Sequence, residues 1–193
     1  MIVTKVSDPW SMRNGCCMLH MEAARAGLQF LTVTMSVIAY LSLGSNVGDR
    51  HNNLREAIRR LGTLGRIVSV SSLYNTEPVE VTDQAWFLNC ALALECGSKP
   101  GQLMSELLRI EREMGRQRIQ KKGPRSIDID ILLFGDAVVN TPELTIPHPA
   151  MTRRRFVLEP LAEIAPEIKP PLLDKTVREL LAELSPEQRV EKE

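Results

Sequence analysis

Between Ile127 and Ile131 the chain reads Ile-Asp-Ile-Asp-Ile, with Gly123-Pro124-Arg125 just before it and Leu132, Leu133 and Phe134 after it. Strict alternation of this kind specifies an extended strand, because successive side chains leave a strand on opposite faces. Asp128 and Asp130 therefore share one face and the isoleucines the other, with the two aspartate Cα atoms about 7 Å apart at the usual strand rise. A chain containing this segment must build a sheet with at least one face in an apolar core. Like charges on the second face repel unless they are solvated, paired with cations or bound to metal.

The other segments can be placed around that strand. "SVIAYLSLG" is an apolar, β-rich run ended by Gly44. In "GSNVGDRHNNLREAIRRLGTLG", Leu54, Ala57, Ile58 and Leu61 repeat at helical spacing after a cap at Asp49 or Asn46, and Gly62 and Gly65 close the helix. "RIVSVSSLYNTEP" alternates as one strand up to Pro78, and "AWFLNCALALEC" is another. "KPGQLMSELLRIEREMG" is a helix with Leu103, Leu107, Leu108, Ile110 and Met114 inward. A basic loop, "RQRIQKKGPR", leads into the Ile-Asp strand. "DAVVNTPELTIPHP" reads as two short strands or a hairpin, "MTRRRFVLEPLAEIAP" as helical from about Arg153 and "KTVRELLAEL" as a last short helix before the polar tail "SPEQRVEKE", which is expected to fray. The order βαββαβ plus C-terminal additions predicts an α+β, ferredoxin-like sandwich: an antiparallel sheet with helices on one face.

With 193 residues and a formal net charge of +0, the chain is expected to be one soluble domain with no nucleic-acid or membrane partner. The four cysteines, Cys16, Cys17, Cys90 and Cys96, form no CxxC pair, and three histidines are too few to suggest a zinc site. Cys90 and Cys96 lie in an apolar run and read as buried thiols of a reduced, cytoplasmic protein. Residues 1–34 lack the layout of a signal peptide, and Met35 stands immediately before the first strand. The expected organisation is a dispensable or disordered extension over 1–34, a single domain over 35–185 and a charged tail over 186–193. Neither flank is expected to hold a second catalytic domain.

The usual phosphate-binding loops, GxxxxGK[ST] and GxGxxG after a strand, are absent, and "GSNVG" by itself is an ordinary strand-to-helix turn. The acidic pair carries more. Arg116, Arg118, Lys121, Lys122 and Arg125 crowd the residues before it, and Arg153, Arg154 and Arg155 form a second basic cluster. Aspartates that hold Mg²⁺, beside arginines that grip phosphate oxygens, are what a metal–nucleotide site requires. Plain ion pairing between basic loop and acidic strand is the structural alternative.

"KKGPRSIDIDILLFG" resembles the signature of the 6-hydroxymethyl-7,8-dihydropterin pyrophosphokinase family. The likeness extends in order and spacing through "AYLSLGSNVGDR", "SSLYNTEPVE", "FLNCALALE", "LLRIEREMGR", "TIPHP" and "RFVLEPLAEIAPE", covering residues 36–170. The resemblance implies a ferredoxin-like fold and transfer of diphosphate from ATP to the pterin's hydroxymethyl group, giving AMP, in folate biosynthesis. It implies that Asp128 and Asp130 bind two Mg²⁺ ions and that Arg116 and Arg125 engage phosphates and support transfer. Glu111, Arg118, His148 and Arg154 match ATP-side positions. Phe87 and Phe156 match the aromatic pair that stacks on the pterin, Asn89 the amide that reads its edge, and Thr76, Pro78 and Val79 the adjoining loop. Taken singly, the phenylalanines would read as core residues and His148 as a turn residue.

The chain departs from the family pattern at Lys122, where many members have an aromatic before Gly-Pro-Arg, and its loop from Arg116 is slightly shorter than in some. That basic loop is expected to close over phosphates. Two other functions use the same features: a Mg²⁺-dependent nucleotidyltransferase, which would release pyrophosphate, and a non-catalytic small-molecule-binding module. The module reading would favour loss of an aspartate or a loop arginine, and all are present. The protein is expected to act as a monomer.

Overall fold

The apolar run at the start of the domain forms β1 (Val37–Ser45), with Ala39, Leu41 and Leu43 fully buried on one face. The computed structural model describes residues 36–79, 83–116 and 124–193, so the extension over 1–34 and the basic residues Arg118, Lys121 and Lys122, with the expected closure of their loop, lie outside the described residues. After β1, the Asp49 carboxylate accepts from the backbone N–H of Asn52 at 3.0 Å and caps α1 (Arg50–Leu61), satisfying a donor the first turn leaves unpaired. Of the two caps the sequence offers, Asp49 is the one used. Leu54, Ala57 and Leu61 form the buried stripe of α1.

The segment expected to be one strand is divided into β2 (Arg66–Val70) and β3 (Tyr74–Thr76), both antiparallel to β4 (Phe87–Cys96). Ser71 sits at the break. Its N–H donates to the Ala91 carbonyl at 2.9 Å, and its hydroxyl accepts from the Ala91 N–H at 2.9 Å, so a side chain replaces one rung of the ladder. Helix α2 (Pro100–Glu113) begins on a proline, which costs nothing where the N–H has no helical partner, and buries Leu103, Leu107 and Ile110. Its fourth buried residue is a carboxylate, Glu111.

β5 (Asp128–Phe134) pairs antiparallel with β1, placing Asp128 opposite Gly44 and Asp130 opposite Ser42. The sheet order β5-β1-β4-β3, with α1 and α2 following the first and fourth strands, is the ferredoxin-like arrangement that the chain order predicts. The α1 and α2 stripes pack on Leu41, Leu43, Leu92, Leu94, Ile129 and Ile131 in the main core.

The C-terminal additions cover part of the opposite face. A hairpin of β6 (Val139–Asn140) and β7 (Thr145–Ile146) leads to His148, whose N–H donates to the Leu132 carbonyl at 2.9 Å and closes part of the β5 edge. The helix expected from Arg153 is a 3₁₀ turn (Met151–Arg153), one extended residue, Arg154, and then α3 (Arg155–Ile164). Val157, Leu158 and Leu161 of α3, with Val177 and Leu180 of the capped helix α4 (Val177–Ala182), pack on Ala91, Leu132 and Leu133. Helices therefore lie on both faces.

The polar tail does not fray. Val190–Lys192 forms β8, antiparallel to β3, with Val190 opposite Thr76 and Lys192 opposite Tyr74. Its charged sequence hides this because the bonds are backbone bonds to an edge that β3 leaves open. Among the described residues, no helix is long and apolar enough to cross a membrane.

Candidate active site

The face of the sheet opposite α1 and α2 changes character along its strands. At the α3 end it presents Tyr40, Ala91 and Leu132, which pack under that helix. At the other end the same alternation brings out Ser42 and Gly44 from β1, Phe87 and Asn89 from β4, and Asp128 and Asp130 from β5. Among the described residues no helix covers this end; it floors a cavity of about 290 Å³. Its rim carries Thr76, Pro78 and Val79 on one side, His148, Arg154 and Phe156 on another, and Arg116 and Arg125. The structure thus brings together every candidate site residue except Glu111, which lies behind Arg116, and Arg118, which is outside the described residues.

The floor is held by exact contacts. Asn89 is almost fully buried, and its Nδ2 donates to the Thr76 hydroxyl at 2.6 Å. That amide lies across β1 at Gly44, where an added Cβ would fall 2.4 Å from the Asn89 Oδ1, so a side chain at 44 would displace it. Asn46, in sequence only a helix-cap candidate, holds the turn that carries Arg125. Its Oδ1 accepts from the Arg125 N–H at 2.8 Å, its own N–H donates to the Arg125 carbonyl at 3.1 Å, and its Nδ2 reaches Gln84 Oε1 at 3.1 Å. It clamps the arginine-bearing turn to the end of β1. A polar side chain straight after a buried strand, in "LGSN", was the available signal.

Charge is arranged in a chain. Glu111 on α2 accepts from Arg116 and from the backbone N–H of Ile129 at 2.8 Å, tying α2 to β5 between the two aspartates. Arg116 also reaches Asp128 Oδ1 at 2.6 Å, and Arg125 pairs with Asp128 Oδ2. Ion pairing with the basic segment is therefore how the repulsion at Asp128 is relieved here. Asp130 differs: burial, then the charges of Asp128 and Glu111, push its carboxyl up to about 7 despite the opposing influence of Arg154 and Arg116. Burial likewise raises Glu111, against the pull of Arg116.

Burial and the nearby Arg154 lower His148, favouring neutral imidazole. The Ala150 N–H donates to its Nδ1 at 3.2 Å, which leaves Nε2 to carry the proton. The two phenylalanines each lie beneath a guanidinium, Arg125 over Phe87 and Arg154 over Phe156, both 5.6 Å from the ring centroid.

Two features bear on a metal. Asp128 and Asp130 offer hard oxygen donors from one face, and the negative charge that raises Asp130 is charge a cation would relieve. Among the described residues, no three His, Cys, Asp or Glu side chains gather as a metal cage. A pair of carboxylates completed by phosphate or water oxygens would be compatible with a metal site. That fits Mg²⁺, which keeps waters and binds through one or two carboxylates. One cavity therefore combines oxygen donors for a cation, guanidinium groups for phosphates, and flat rings beside a buried amide suited to a planar polar heterocycle.

Comparison with known proteins agrees with this geometry. The family model for 7,8-dihydro-6-hydroxymethylpterin-pyrophosphokinase (HPPK) matches residues 40–166. The chain is 44% identical over 137 residues to the 2-amino-4-hydroxy-6-hydroxymethyldihydropteridine pyrophosphokinase of Bacillus subtilis, covering 70% of this chain and 82% of that protein. It is 46% identical over 157 residues to the enzyme of the same name from Methylorubrum extorquens, covering 79% and 98% respectively. The crystal structure of wild-type Plasmodium falciparum HPPK-DHPS with pteroate superposes with a TM-score of 0.63 at 19% identity, covering 77% of this chain and 44% of that one. This chain spans less than half of that plasmodial chain, and the likeness there is one of fold. The motifs, the sheet order and these matches converge: the chain belongs to the 7,8-dihydro-6-hydroxymethylpterin-pyrophosphokinase family.

Proposed function

We propose that the chain transfers diphosphate from ATP to the hydroxymethyl oxygen of 6-hydroxymethyl-7,8-dihydropterin, releasing AMP, in the cavity floored by Asp128 and Asp130. The observation that carries this reading is that one cavity holds two aspartates, three arginines and the Phe87, Asn89 and Phe156 group. The pterin hydroxyl is the nucleophile: its oxygen bonds the β-phosphorus, the bond from that phosphorus to the α–β bridging oxygen breaks, and the hydroxyl proton passes to solvent. No protein nucleophile is required, so positioning and charge neutralisation supply the rate.

Arg116, Arg125 and Arg154 bind phosphate oxygens, and Arg118 joins them in this reading. For Arg116 and Arg125 this means exchanging the Asp128 carboxylate for the nucleotide. In this reading Asp128 and Asp130 would hold Mg²⁺, two ions, which would supply neutralisation of phosphate charge and a lowered pKa for the attacking hydroxyl. Glu111 keeps Arg116 oriented, and neutral His148 offers a hydrogen bond to the nucleotide. Phe87 and Phe156 stack on the pterin, Asn89 pairs with its edge, and Thr76, Pro78 and Val79 complete that wall. In this reading the chain acts as a monomer. Free, buried Cys90 and Cys96 are compatible with the cytoplasm.

The test is to incubate the full chain with ATP, Mg²⁺ and 6-hydroxymethyl-7,8-dihydropterin and identify the products. The expected result is AMP formed one-for-one with the pterin diphosphate. ADP would overturn the reading in favour of ordinary phosphoryl transfer, and pyrophosphate in favour of nucleotidyl transfer. Absence of turnover would leave a binding module.

A further inference from the structure

The segment from Gln188 to Glu193 bonds to both walls of the cavity without lining it. On one wall, Val190 pairs with Thr76, the residue whose hydroxyl accepts from Asn89. The Glu77 N–H then donates to the Arg189 carbonyl at 3.2 Å, immediately before Pro78 and Val79 on the rim. On the opposite wall, Gln188 Oε1 accepts from the Arg155 N–H at 2.9 Å. Arg155 opens α3 between Arg154 and Phe156, and no side-chain cap from Arg154 serves that helix, so the tail satisfies one of its orphan donors.

The far end of the segment is also fastened. Glu193 accepts from Asn75 Nδ2 at 2.7 Å, meets His51 Nε2 at 2.9 Å, and donates its N–H to the Leu73 carbonyl at 3.0 Å. Asn75 in turn accepts from Arg50 Nη1 at 3.1 Å, and the same nitrogen donates to the Trp86 carbonyl at 3.0 Å, next to Phe87. β3 is three residues long, too short to fix a wall by itself, and β8 is its partner on the outer side.

We propose that residues 188–193 form a positioning strap for the pterin half of the cavity. They set the spacing between the Thr76–Val79 wall and the Arg154–Phe156 wall, and so tune substrate affinity with no atom of their own on the substrate. The inference rests on the pterin reading given above. Without the strap, the Glu77 and Arg155 N–H groups lose their partners and the walls relax apart; a site loosened on this scale loses binding that depends on geometry.

The experiment compares the unmodified full chain, a chain ending at Glu187, and Gln188→Ala in the full chain. Thermal melting reports folding, a calorimetric titration with the pterin alone reports affinity, and steady-state kinetics give kcat and both KM values. Removal of the strap should raise Kd and KM for the pterin about tenfold and leave kcat and the KM for ATP within about threefold. Gln188→Ala should give about a threefold rise in pterin KM with melting close to wild type. Unchanged pterin affinity in either folded variant, or equal increases in both KM values, would overturn the strap. If the shortened chain fails to fold, Gln188→Ala decides alone. An unmodified chain that turns nothing over defeats the functional reading instead, a result distinct from an active chain indifferent to its tail.

Discussion

The two ends of one sheet face share strands, ladder and register, yet one is core and the other an open site. At the covered end, Ala91, Leu132 and Leu133 meet Val157, Leu158 and Leu161 of α3. Towards the other end of the same strands come Ser42, Gly44, Asn89, Asp128 and Asp130, and the helix does not extend over them. Two carboxylates show the contrast in opposite directions. Burial opposes the charge of Glu163 on α3, but hydrogen bonds from Tyr74 at 2.7 Å and the Ser72 hydroxyl at 2.8 Å outweigh it, and its carboxyl is held below the usual range. Asp130 is pushed the other way, to about 7. Hydrogen-bond donors outweigh burial at Glu163, whereas at Asp130 burial and neighbouring carboxylates outweigh Arg154 and Arg116.

The strongest way to break this comparison is to remove the acidic floor. Asp128→Ala or Asp130→Ala should lower AMP production about a thousandfold or more, while the melting temperature shows a folded chain, because the proposed metal ligation would be lost and core packing would not. Near-normal turnover in either variant would show that the open end is not the catalytic end. The converse change belongs to the covered end: Leu158, fully buried, should lose about 3 kcal/mol of stability on conversion to Ala, by denaturant unfolding, with kcat of the folded fraction retained. A matching loss of kcat would mean that the two ends are not separable.

A smaller effect tests the fit of the floor. Gly44→Ala puts a methyl group on the Asn89 amide and should raise the pterin KM about tenfold, with little change in the KM for ATP. An unaltered pterin KM would show that the amide does not read the substrate from its present position.

The smallest expected effect is on pH dependence, and its sign differs between the two ends. Asp130, raised from 3.8 to about 7, binds a proton in the folded state that the unfolded chain has already lost, so its contribution to stability falls as pH rises through that window. Glu163, lowered from 4.5, contributes stability that is present above that value and lost as acid protonates it. In metal-free buffer, Asp130→Asn should raise the melting temperature at pH 8, by an amount that shrinks as pH falls from about 7 towards 3.8 and disappears only below that value. Glu163→Gln should lower it at neutral pH and converge on wild type in acid. Parallel pH profiles for both variants would erase the distinction.

Much of this architecture is legible in the chain because it depends on local periodicity. Apolar runs identified β1 and β4, helical spacing identified the α1 and α2 stripes, and alternation identified β5 and put Asp128 and Asp130 on one face. The site residues were named through motif resemblance, and the cavity unites the described ones with the exception of Glu111. Asn46 escaped a functional reading because its partners, Arg125 and Gln84, are far away in sequence. The break at Ser71 escaped because a serine at a strand position shows its second hydrogen bond only once β4 lies beside it.

The sequence by itself therefore determined the main strands and helices, their order, the faces of the β5 strand and the family. These follow from backbone geometry repeated over neighbouring residues, and from motifs that survive as strings. Only the tertiary structure decided that Asp128 is paired while Asp130 is driven towards neutrality, that Gly44 makes room for an amide, and that a charged tail becomes an edge strand. Each of those outcomes depends on desolvation and on partners supplied by other strands, quantities that exist only after the chain has folded.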